Sequence, residues 1–303
     1  MFQEGQYFAP VVVSPDGGVE VQLGAGHPGV QDEAYRERRN ALAALALDWR
    51  PGEPLPTAVY TEDEQEVWRL VTRELAAKHE RYACAEFLAG SDRLRLPTDR
   101  IPQLAEVSAV LEPLTGFRYA PAAGLVPLRQ FYGCLADGIF HSTQYIRHHT
   151  VPFYTPEPDV LHEVVGHANC LASERFATLY RLAGRAAQRV ESTAALEFVS
   201  KVFWFTLEFG VVYEHGELRT YGAGILSSYG ELEEFGSVAI RPLDVAAMGS
   251  TTYDITAYQP MLYAAESFSH VEDVIGSFFE TCDDESIARM GPINTIDRAA
   301  ALG

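Results

Sequence analysis

Residues 155–167, Thr-Pro-Glu-Pro-Asp-Val-Leu-His-Glu-Val-Val-Gly-His, constrain this chain more than any other segment. Two imidazoles and a carboxylate follow a stretch that is suited to starting a helix. Thr155 is a favoured N-cap residue, and Pro156 suits a first helical turn. The acidic residues that come next favour the positive end of the helix dipole. The segment therefore predicts a helix over residues 157–173 that carries polar ligands.

The spacing of the two histidines limits what they can bind. On an ideal helix, His162 and His167 would lie about 140° apart around the axis. They can bind one ion only if the helix ends or loosens near Gly166, which a glycine makes easy. A zinc protease needs two histidines four residues apart on one face, so that site is not predicted. Two ordinary histidines near a buried helix remain an alternative.

A third candidate ligand lies in the hydrophobic, aromatic stretch over residues 201–213, whose one carboxylate is Glu208. A helix that is apolar on most faces is buried, and a buried carboxylate is costly unless it is paired or bound to a metal. A core glutamate bridged to an arginine is the simpler alternative. Two histidines and one carboxylate together favour the ligand set that non-haem Fe(II) oxygenases use.

With these ligands in place, the chain resembles the tetrahydropterin-dependent aromatic amino acid hydroxylases, and most closely their single-domain bacterial phenylalanine 4-monooxygenases. The resemblance covers roughly residues 57–281, with the motifs in the family's order. The matching segments are TQYIRH at 143–148, YTPEPD at 154–159, HEVVGH at 162–167, WFTLEFG at 204–210, YGAGILSSYGE at 221–231, YQP at 258–260 and AESF at 265–268.

The resemblance implies a fold and a reaction. The fold is α+β and predominantly α-helical, the aromatic amino acid hydroxylase catalytic-domain fold with small β-hairpins. The reaction is hydroxylation of an aromatic amino acid by O2, with Fe(2+) and tetrahydrobiopterin or a related tetrahydropterin as cofactors. His162, His167 and Glu208 would bind the iron. Ser227 would hydrogen-bond a ligand histidine and fix its tautomer, a helix cap being its alternative role.

The same resemblance assigns the substrate pocket. Arg147 would bind the substrate carboxylate through its guanidinium fork, and Asp159 would support that arginine. Taken alone, Arg147 would be interpreted as part of a surface salt bridge. The other expected pocket residues are Thr155, Pro156, Trp204, Phe209, Gly224, Ser227 and Ile255.

For the pterin, the resemblance implies stacking on Phe131, with His141 and Glu163 nearby. Main-chain groups of residues 124–128, including those of Val126 and Leu128, would contact the pterin edge. This loop departs from the serine-rich version that is common in the family. A second departure is Ala168-Asn169 after the second histidine, where Val-Pro is usual. Glu163 and Ser227 are also expected to belong to the catalytic machinery.

Specificity is expected to depend on Trp204 and Ile255. At the position of Ile255, the family's tyrosine hydroxylases carry an acid and its phenylalanine hydroxylases an apolar residue. An apolar wall offers a phenolic hydroxyl no partner, which costs roughly 1–3 kcal/mol. We therefore expect phenylalanine as the preferred substrate, tryptophan second and tyrosine last, with para-tyrosine as product. The alternatives are tryptophan 5-hydroxylation, phenylalanine 3-hydroxylation, a zinc hydrolase with Glu163 as base and a silent binding protein.

Composition narrows the partners and the compartment. A net charge of −19 argues against binding to nucleic acid or to anionic membranes. The four cysteines are scattered, and neither a signal peptide nor an apolar run of membrane-spanning length is evident. We expect a cytoplasmic monomer whose partners are the amino acid and O2.

Local patterns predict the secondary structure and a division of the chain. Val11–Val13 and Val19–Leu23 flank a Pro-Asp-Gly-Gly turn and predict a β-hairpin. Helices are predicted over 32–49, from Thr61 with a capping box towards Leu88, and over 102–114, 157–173, 174–189, 191–213 and 268–280. Short strands are predicted near Gly216 and at 251–255. Residues 1–56 would form an N-terminal extension, and residues 57–303 the catalytic iron- and pterin-binding domain.

Overall fold

Helices account for most of the secondary structure in the computed structural model, which describes residues 9–254 and 257–290 of the 303-residue chain. In chain order they are α1 (Glu33–Asp48), α2 (Glu62–Tyr82), α3 (Ala85–Leu94), α4 (Leu104–Thr115), α5 (Leu128–Leu135), α6 (Asn169–Leu171), α7 (Glu174–Arg189), α8 (Thr193–Phe203), α9 (Ala223–Leu226), α10 (Glu231–Glu234), α11 (Val245–Ser250), α12 (Phe268–Val271), α13 (Ser277–Thr281) and α14 (Asp284–Met290). Segments of π-helix are π1 (His162–Ala168), π2 (Trp204–Glu208) and π3 (Glu272–Gly276).

The strands are short and form separate small sheets. They are β1 (Val11–Val13), β2 (Val19–Val21), β3 (Arg118–Pro121), β4 (Ile139–Ser142), β5 (Val211–Glu214), β6 (Glu217–Thr220), β7 (Ala239–Pro242) and β8 (Met261–Ala265). β1 and β2 pair antiparallel, and β3 and β4 pair parallel. The third sheet has the order β6-β5-β8-β7, in which β5–β6 is antiparallel and the other pairs are parallel. This mixture of helices and small strands confirms the predicted fold class.

Capping residues fix several helix starts as the sequence predicts. At the start of α2, the Thr61 side chain accepts from the Glu64 backbone N–H, and the Glu64 side chain accepts from that of Thr61. This reciprocal pair satisfies two backbone donors that would otherwise lack a partner. Asp32 caps α1 by accepting from the Tyr35 backbone N–H. The predicted hairpin at residues 11–23 and the short strands predicted near Gly216 are likewise confirmed.

Three predicted helix boundaries are wrong. The helix from Thr61 ends at Tyr82 rather than near Leu88, because Ala83 turns extended and the Cys84 N–H donates to the Thr220 carbonyl. This long-range pairing leaves no local signal. The helix predicted over 191–213 ends at Glu208, and β5 follows. The remaining error concerns the start of the helix that carries the histidines.

That helix begins at Val160 and not at residue 157. Thr155 is therefore not its cap: its hydroxyl donates to the Glu157 carbonyl instead. Asp159 takes the capping role, because its side chain accepts from the His162 N–H. Pro158 explains the shift, since a proline disfavours helical backbone in the residue before it.

The strand predicted at residues 251–255 is also wrong for its described part. Residues 251–254 form no strand, and the chain first pairs again at β8. Ile255 lies outside the described residues. The described helices include none that is both long and apolar enough to cross a membrane. The division of the chain at residues 56/57 stays a prediction.

Helix α2 anchors the segment that leads from α9 to α10. The buried His79 donates from Nε2 to the Leu226 carbonyl over 2.6 Å. Its neighbour Lys78 donates to the Tyr229 carbonyl over 3.0 Å and pairs with Glu233. These bonds fix the backbone on either side of Ser227, a predicted site residue.

The buried His79 should make stability depend on pH. Burial lowers the pKa of His79 to about 4, whereas an unfolded histidine has a pKa of about 6.5. Between these values the unfolded state binds a proton that the folded state does not, so stability falls as the pH drops below 6.5. At about pH 5 the loss from this group is about 2 kcal/mol.

Urea unfolding of the wild type and of His79→Gln at about pH 7.5 and pH 5 measures this effect. Glutamine keeps an N–H donor for the Leu226 carbonyl but does not titrate. The decline in the free energy of unfolding should be about 2 kcal/mol smaller in the variant. Equal declines in the two proteins would rule out His79 as the source.

Candidate active site

A cavity of about 290 Å³ is lined by residues of π1, π2 and α9 and of the loops that precede them. It brings together nearly all of the sequence-predicted site residues, although they are spread over some hundred positions. Those that line it are Val126, Leu128, Phe131, His141, Arg147, Thr155, Pro156, His162, Glu163, His167, Trp204, Glu208, Phe209, Gly224 and Ser227. Asp159 lies fully buried behind Arg147. Ile255 lies outside the described residues.

The π-helical turn π1 aligns the two histidines. In a π-helix the hydrogen bonds join residues five apart, so side chains at i and i+5 come to lie on one face. The Nε2 atoms of His162 and His167 are 2.9 Å apart, with the rings at 83° to each other. The loosening that a shared ion requires is therefore present over the whole of π1.

Gly166 serves this arrangement in a way that the sequence did not suggest. A Cβ at residue 166 would stand 2.7 Å from the Ala223 carbonyl oxygen. The glycine thus allows α9 to pack directly against π1. Since Ser227 follows α9 at once, this close approach brings its hydroxyl to His162.

Glu208 reaches the same point from π2. Its carboxylate oxygens lie 3.2 Å from His167 Nε2 and 3.8 Å from His162 Nε2. Bonds of about 2.1 Å at right angles, as protein metal sites have, would set two nitrogens about 3 Å apart. The 2.9 Å between the imidazole nitrogens fits this value.

A hydrogen bond on the far side of each ring orients the imidazoles. The Ser227 hydroxyl donates to the Ala223 carbonyl and therefore accepts from His162 Nδ1, 2.9 Å away. This contact holds the proton of His162 at Nδ1 and leaves its Nε2 lone pair facing His167. His167 Nδ1 lies 2.8 Å from the Tyr180 hydroxyl. Two imidazole nitrogens and a carboxylate that converge in this way form a donor set that fits a metal ion.

Two carboxylates lie near these nitrogens, and their protonation distinguishes them. Glu163 lies within 4.8 Å of both histidines. Its burial, and then the nearby Glu208 and Asp159, raise the pKa of Glu163 well above its usual value. Burial acts the same way on Glu208, but His167 and His162 outweigh it and lower the pKa of that carboxyl. Because a metal ligand must be ionised, the lowered pKa favours Glu208 as the metal ligand.

A second cluster of possible ligands is already bonded internally. Asp32, His148 and His149 lie together near the start of α1. Asp32 caps the helix and also bonds His148 Nε2 at 3.2 Å, and His148 Nδ1 lies 2.7 Å from the Thr150 hydroxyl. These contacts give the cluster a structural role.

Part of the Arg147 guanidinium group is hydrogen-bonded within the protein. Its Nε and Nη2 donate to the two carboxylate oxygens of Asp159 over 2.8 and 2.9 Å, and its backbone N–H donates to the same side chain. Burial raises the pKa of Asp159, but the arginine outweighs it and holds the net pKa low. The pair is thus fixed and neutral, while the remaining guanidinium N–H groups stay available to the cavity.

A second buried pair supports this one and was missed at the sequence level. Arg39 of α1 donates to Glu157 over 2.7 Å and stacks on the Tyr145 ring, 3.4 Å from its centroid. Glu157 also lies 3.5 Å from His27. The Tyr35 hydroxyl donates to the Ile146 carbonyl. No local pattern could reveal contacts over more than a hundred residues.

An aromatic stack forms another wall of the cavity. The indole of Trp204 lies between Tyr253, at 4.2 Å and nearly parallel, and Phe209, at 4.5 Å. Its Nε1–H donates to the buried Gln259 side chain over 3.4 Å. Gln259 in turn donates to the carbonyls of Asp254 and Ala257. The indole is thus held by ring contacts on two sides and by a hydrogen bond at its edge.

The region expected to hold the pterin has an aromatic face and unused polar groups. Phe131 packs edge-on against Phe140, with ring centroids 5.5 Å apart. His141 Nδ1 is buried without a hydrogen-bond partner, and burial lowers the pKa of this imidazole. The Glu163 carboxyl also lines this cavity. These features fit a flat, polar-edged heterocycle.

A rigid two-histidine, one-carboxylate site in a partly aromatic cavity defines the class of the non-haem iron oxygenases. A family model of the biopterin-dependent aromatic amino acid hydroxylases matches residues 17–296. The chain belongs to this family and is a pterin- and iron-dependent aromatic amino acid hydroxylase. Membership in this family contradicts the alternative that the protein is a zinc hydrolase.

Individual proteins agree with this assignment. Phenylalanine 3-hydroxylase of Streptomyces coeruleorubidus is 54% identical, over 87% of this chain and 95% of its own length. Phenylalanine-4-hydroxylase of Rattus norvegicus is 39% identical over 89% of this chain, which spans only 61% of that protein.

A solved structure of Chromobacterium violaceum phenylalanine hydroxylase contains iron(III) and 7,8-dihydrobiopterin. It matches with a TM-score of 0.70 and 28% identity, over 77% of this chain and 85% of its own. With the family match, it confirms the expected iron and biopterin cofactors.

The bond from Tyr180 to His167, like that from Ser227 to His162, should tune iron affinity. Tyr180→Phe and Ser227→Ala each release one imidazole from its partner, and losses of this kind cost about 10–100-fold in metal affinity. Fe(II) competition against a coloured chelator under anaerobic conditions measures the effect. Tyr119→Phe is the matched control, since its hydroxyl donates to the Glu163 carbonyl and not to a histidine. Equal affinity in all four proteins would show that neither hydrogen bond contributes to iron binding.

Proposed function

We propose that the protein hydroxylates L-phenylalanine at carbon 4 to give L-tyrosine, using O2 and a tetrahydropterin at iron held by His162, His167 and Glu208. The observation that carries this proposal is the single cavity in which the three ligand side chains, the Arg147 guanidinium and the aromatic wall meet. An amino acid with an unsubstituted aromatic ring has a matching partner for its carboxylate and for its ring.

Each protein group has a defined task in this reaction. When bound, iron and reduced pterin supply the activation of O2 from which one oxygen atom reaches the ring. Ser227 accepts from the outer nitrogen of His162, and Tyr180 hydrogen-bonds the outer nitrogen of His167, so that both Nε2 atoms face inward. Glu163 can hydrogen-bond the pterin edge, and Phe131 can stack on its face.

Arg147 orients the substrate. Because Asp159 fixes Nε and Nη2, the guanidinium plane cannot rotate, and the free N–H groups can receive a carboxylate in one orientation. The Trp204 wall then limits the room for the side chain. A phenyl ring needs less room than an indole, which supports phenylalanine over tryptophan.

The position of attack has two candidates. Relatives named phenylalanine-4-hydroxylase at 37–39% identity support carbon 4. Carbon 3 is the second candidate, because the relative at 54% identity is a phenylalanine 3-hydroxylase. Both candidates share the substrate, the cofactors and the proposed ligand set.

One assay distinguishes these outcomes. Iron-loaded protein, a tetrahydropterin and an equimolar mixture of phenylalanine, tryptophan and tyrosine are incubated in air, and the products are separated by chromatography. We expect phenylalanine to be consumed first, tryptophan second and tyrosine last, with para-tyrosine as the main product. A meta-tyrosine product selects the second candidate, and preferential loss of tryptophan or tyrosine contradicts the proposed substrate.

Arg147→Lys tests the orientation of the carboxylate. Lysine keeps the charge that neutralises Asp159 but lacks the fork, so a charge-assisted bond worth roughly 1.5–3 kcal/mol is lost. We expect the KM for phenylalanine to rise by about tenfold or more while the KM for the pterin changes little. If instead the KM for the pterin rises and the KM for phenylalanine does not change, Arg147 belongs to the pterin site and not to the substrate site.

A further inference from the structure

The ion pairs around the cavity leave the ammonium group of an amino acid substrate without a partner. The cavity-lining arginines are both committed to acids, Arg147 to Asp159 and Arg39 to Glu157. Glu208 faces the histidines. A zwitterionic substrate brings a carboxylate, which Arg147 can receive, and an ammonium group, for which these pairs offer no free anion.

Glu231 is a cavity-lining acid outside these pairs. Among the described residues no lysine, arginine or histidine forms an ion pair with it; the nearby Lys78 pairs with Glu233 instead. One of its carboxylate oxygens accepts from the Gln259 N–H over a long 3.3 Å. Burial raises the pKa of Glu231 to about 7, as expected for a carboxyl that lacks a cation.

The Glu231 carboxyl lies beside other residues that line the cavity. Glu231 begins α10, four residues after Ser227, and its backbone N–H lies 3.4 Å from the Ser228 hydroxyl. Tyr258 packs against the neighbouring Gly230, and about half of its side chain is exposed. Glu231 therefore lies near the opening of the cavity.

Glu163 is the other lining carboxyl without a cation, but it lies on the wrong side for an ammonium group. Its carboxylate is within 4.8 Å of the two histidines. The aromatic ring of the substrate must lie near these histidines to be hydroxylated. In an amino acid the ammonium-bearing carbon is separated from the ring by a methylene group. A partner for the ammonium group therefore has to stand away from the iron ligands.

We propose that Glu231 is the counter-charge that binds the α-ammonium group of the substrate while Arg147 binds its carboxylate. The proposal rests on the proposed function, in which the substrate is a free aromatic amino acid. Binding converts a costly buried carboxyl into an ion pair and rejects ring compounds that lack the ammonium group. Glu231 is thus a specificity-determining residue.

The test compares L-phenylalanine with 3-phenylpropanoate, which keeps the ring and the carboxylate but has no ammonium group. Both are titrated into iron- and pterin-loaded protein without O2, for the wild type, Glu231→Gln and the control Glu234→Gln. Glu234 lies on the same helix and is exposed and outside the cavity. Glutamine is isosteric and can still accept from the Gln259 N–H, so the loop should stay in place.

We expect Glu231→Gln to weaken phenylalanine binding by roughly tenfold or more, as the loss of a charge-assisted bond implies. The affinity for 3-phenylpropanoate should change little, so the ratio of the two affinities should fall by the same factor. Glu234→Gln should keep the wild-type ratio, and Glu231→Asp should restore part of it.

Failure of the inference and of the proposed function can be distinguished. If the wild type binds and hydroxylates phenylalanine but Glu231→Gln keeps the wild-type affinity ratio, the role of Glu231 is overturned and the proposed function stands. An equal loss of affinity for both ligands also overturns it, since that result marks a structural role. If the wild type binds no aromatic amino acid, the proposed function itself fails.

Discussion

The widened turn π1 is the feature on which the active site depends. A regular helix would direct His162 and His167 to different faces, and no rearrangement of side chains could bring both to one ion. The π-helix does so, at the cost of less favourable backbone geometry. Packing of α9 against Gly166 and the hydrogen bonds to the outer imidazole nitrogens stabilise it. The helix that carries Glu208, the proposed third ligand, also turns π-helical, over Trp204–Glu208. The proposed ligands thus come from two helices that share one departure from regular geometry.

Those parts of the molecule whose causes are local could be predicted from the sequence. The capping box at Thr61, the hairpin at residues 11–21 and the bounds of α7 all follow from neighbouring residues. The need for a loosened helix followed from the spacing of two histidines alone. Pairings with distant segments could not be read in this way. The end of α2, for example, is set by Thr220, far along the chain.

The same distinction explains which site residues were missed. Arg147 and Trp204 lie in motifs that resemble a known family, whereas Arg39 acts through Glu157, which lies far along the chain. Arg39 and Tyr35 stand on one face of α1 four residues apart, a spacing that shows which side chains share a helix face but not what that face meets. Only the folded structure shows that this face reaches the pair of Arg147 and Asp159.

These distant contacts also decide how the cavity treats charge. Each of the two cavity-lining arginines is neutralised by an acid that the fold supplies, so neither is an uncompensated cation that would bind any carboxylate. A ligand with a carboxylate alone must compete with Asp159 for the guanidinium. A zwitterion adds a second favourable interaction if an unpaired acid stands at the right distance, and desolvation of that acid before binding makes the interaction stronger. Discrimination for amino acids over other aromatic acids then follows from the pairing of charges, independently of which ring carbon is hydroxylated.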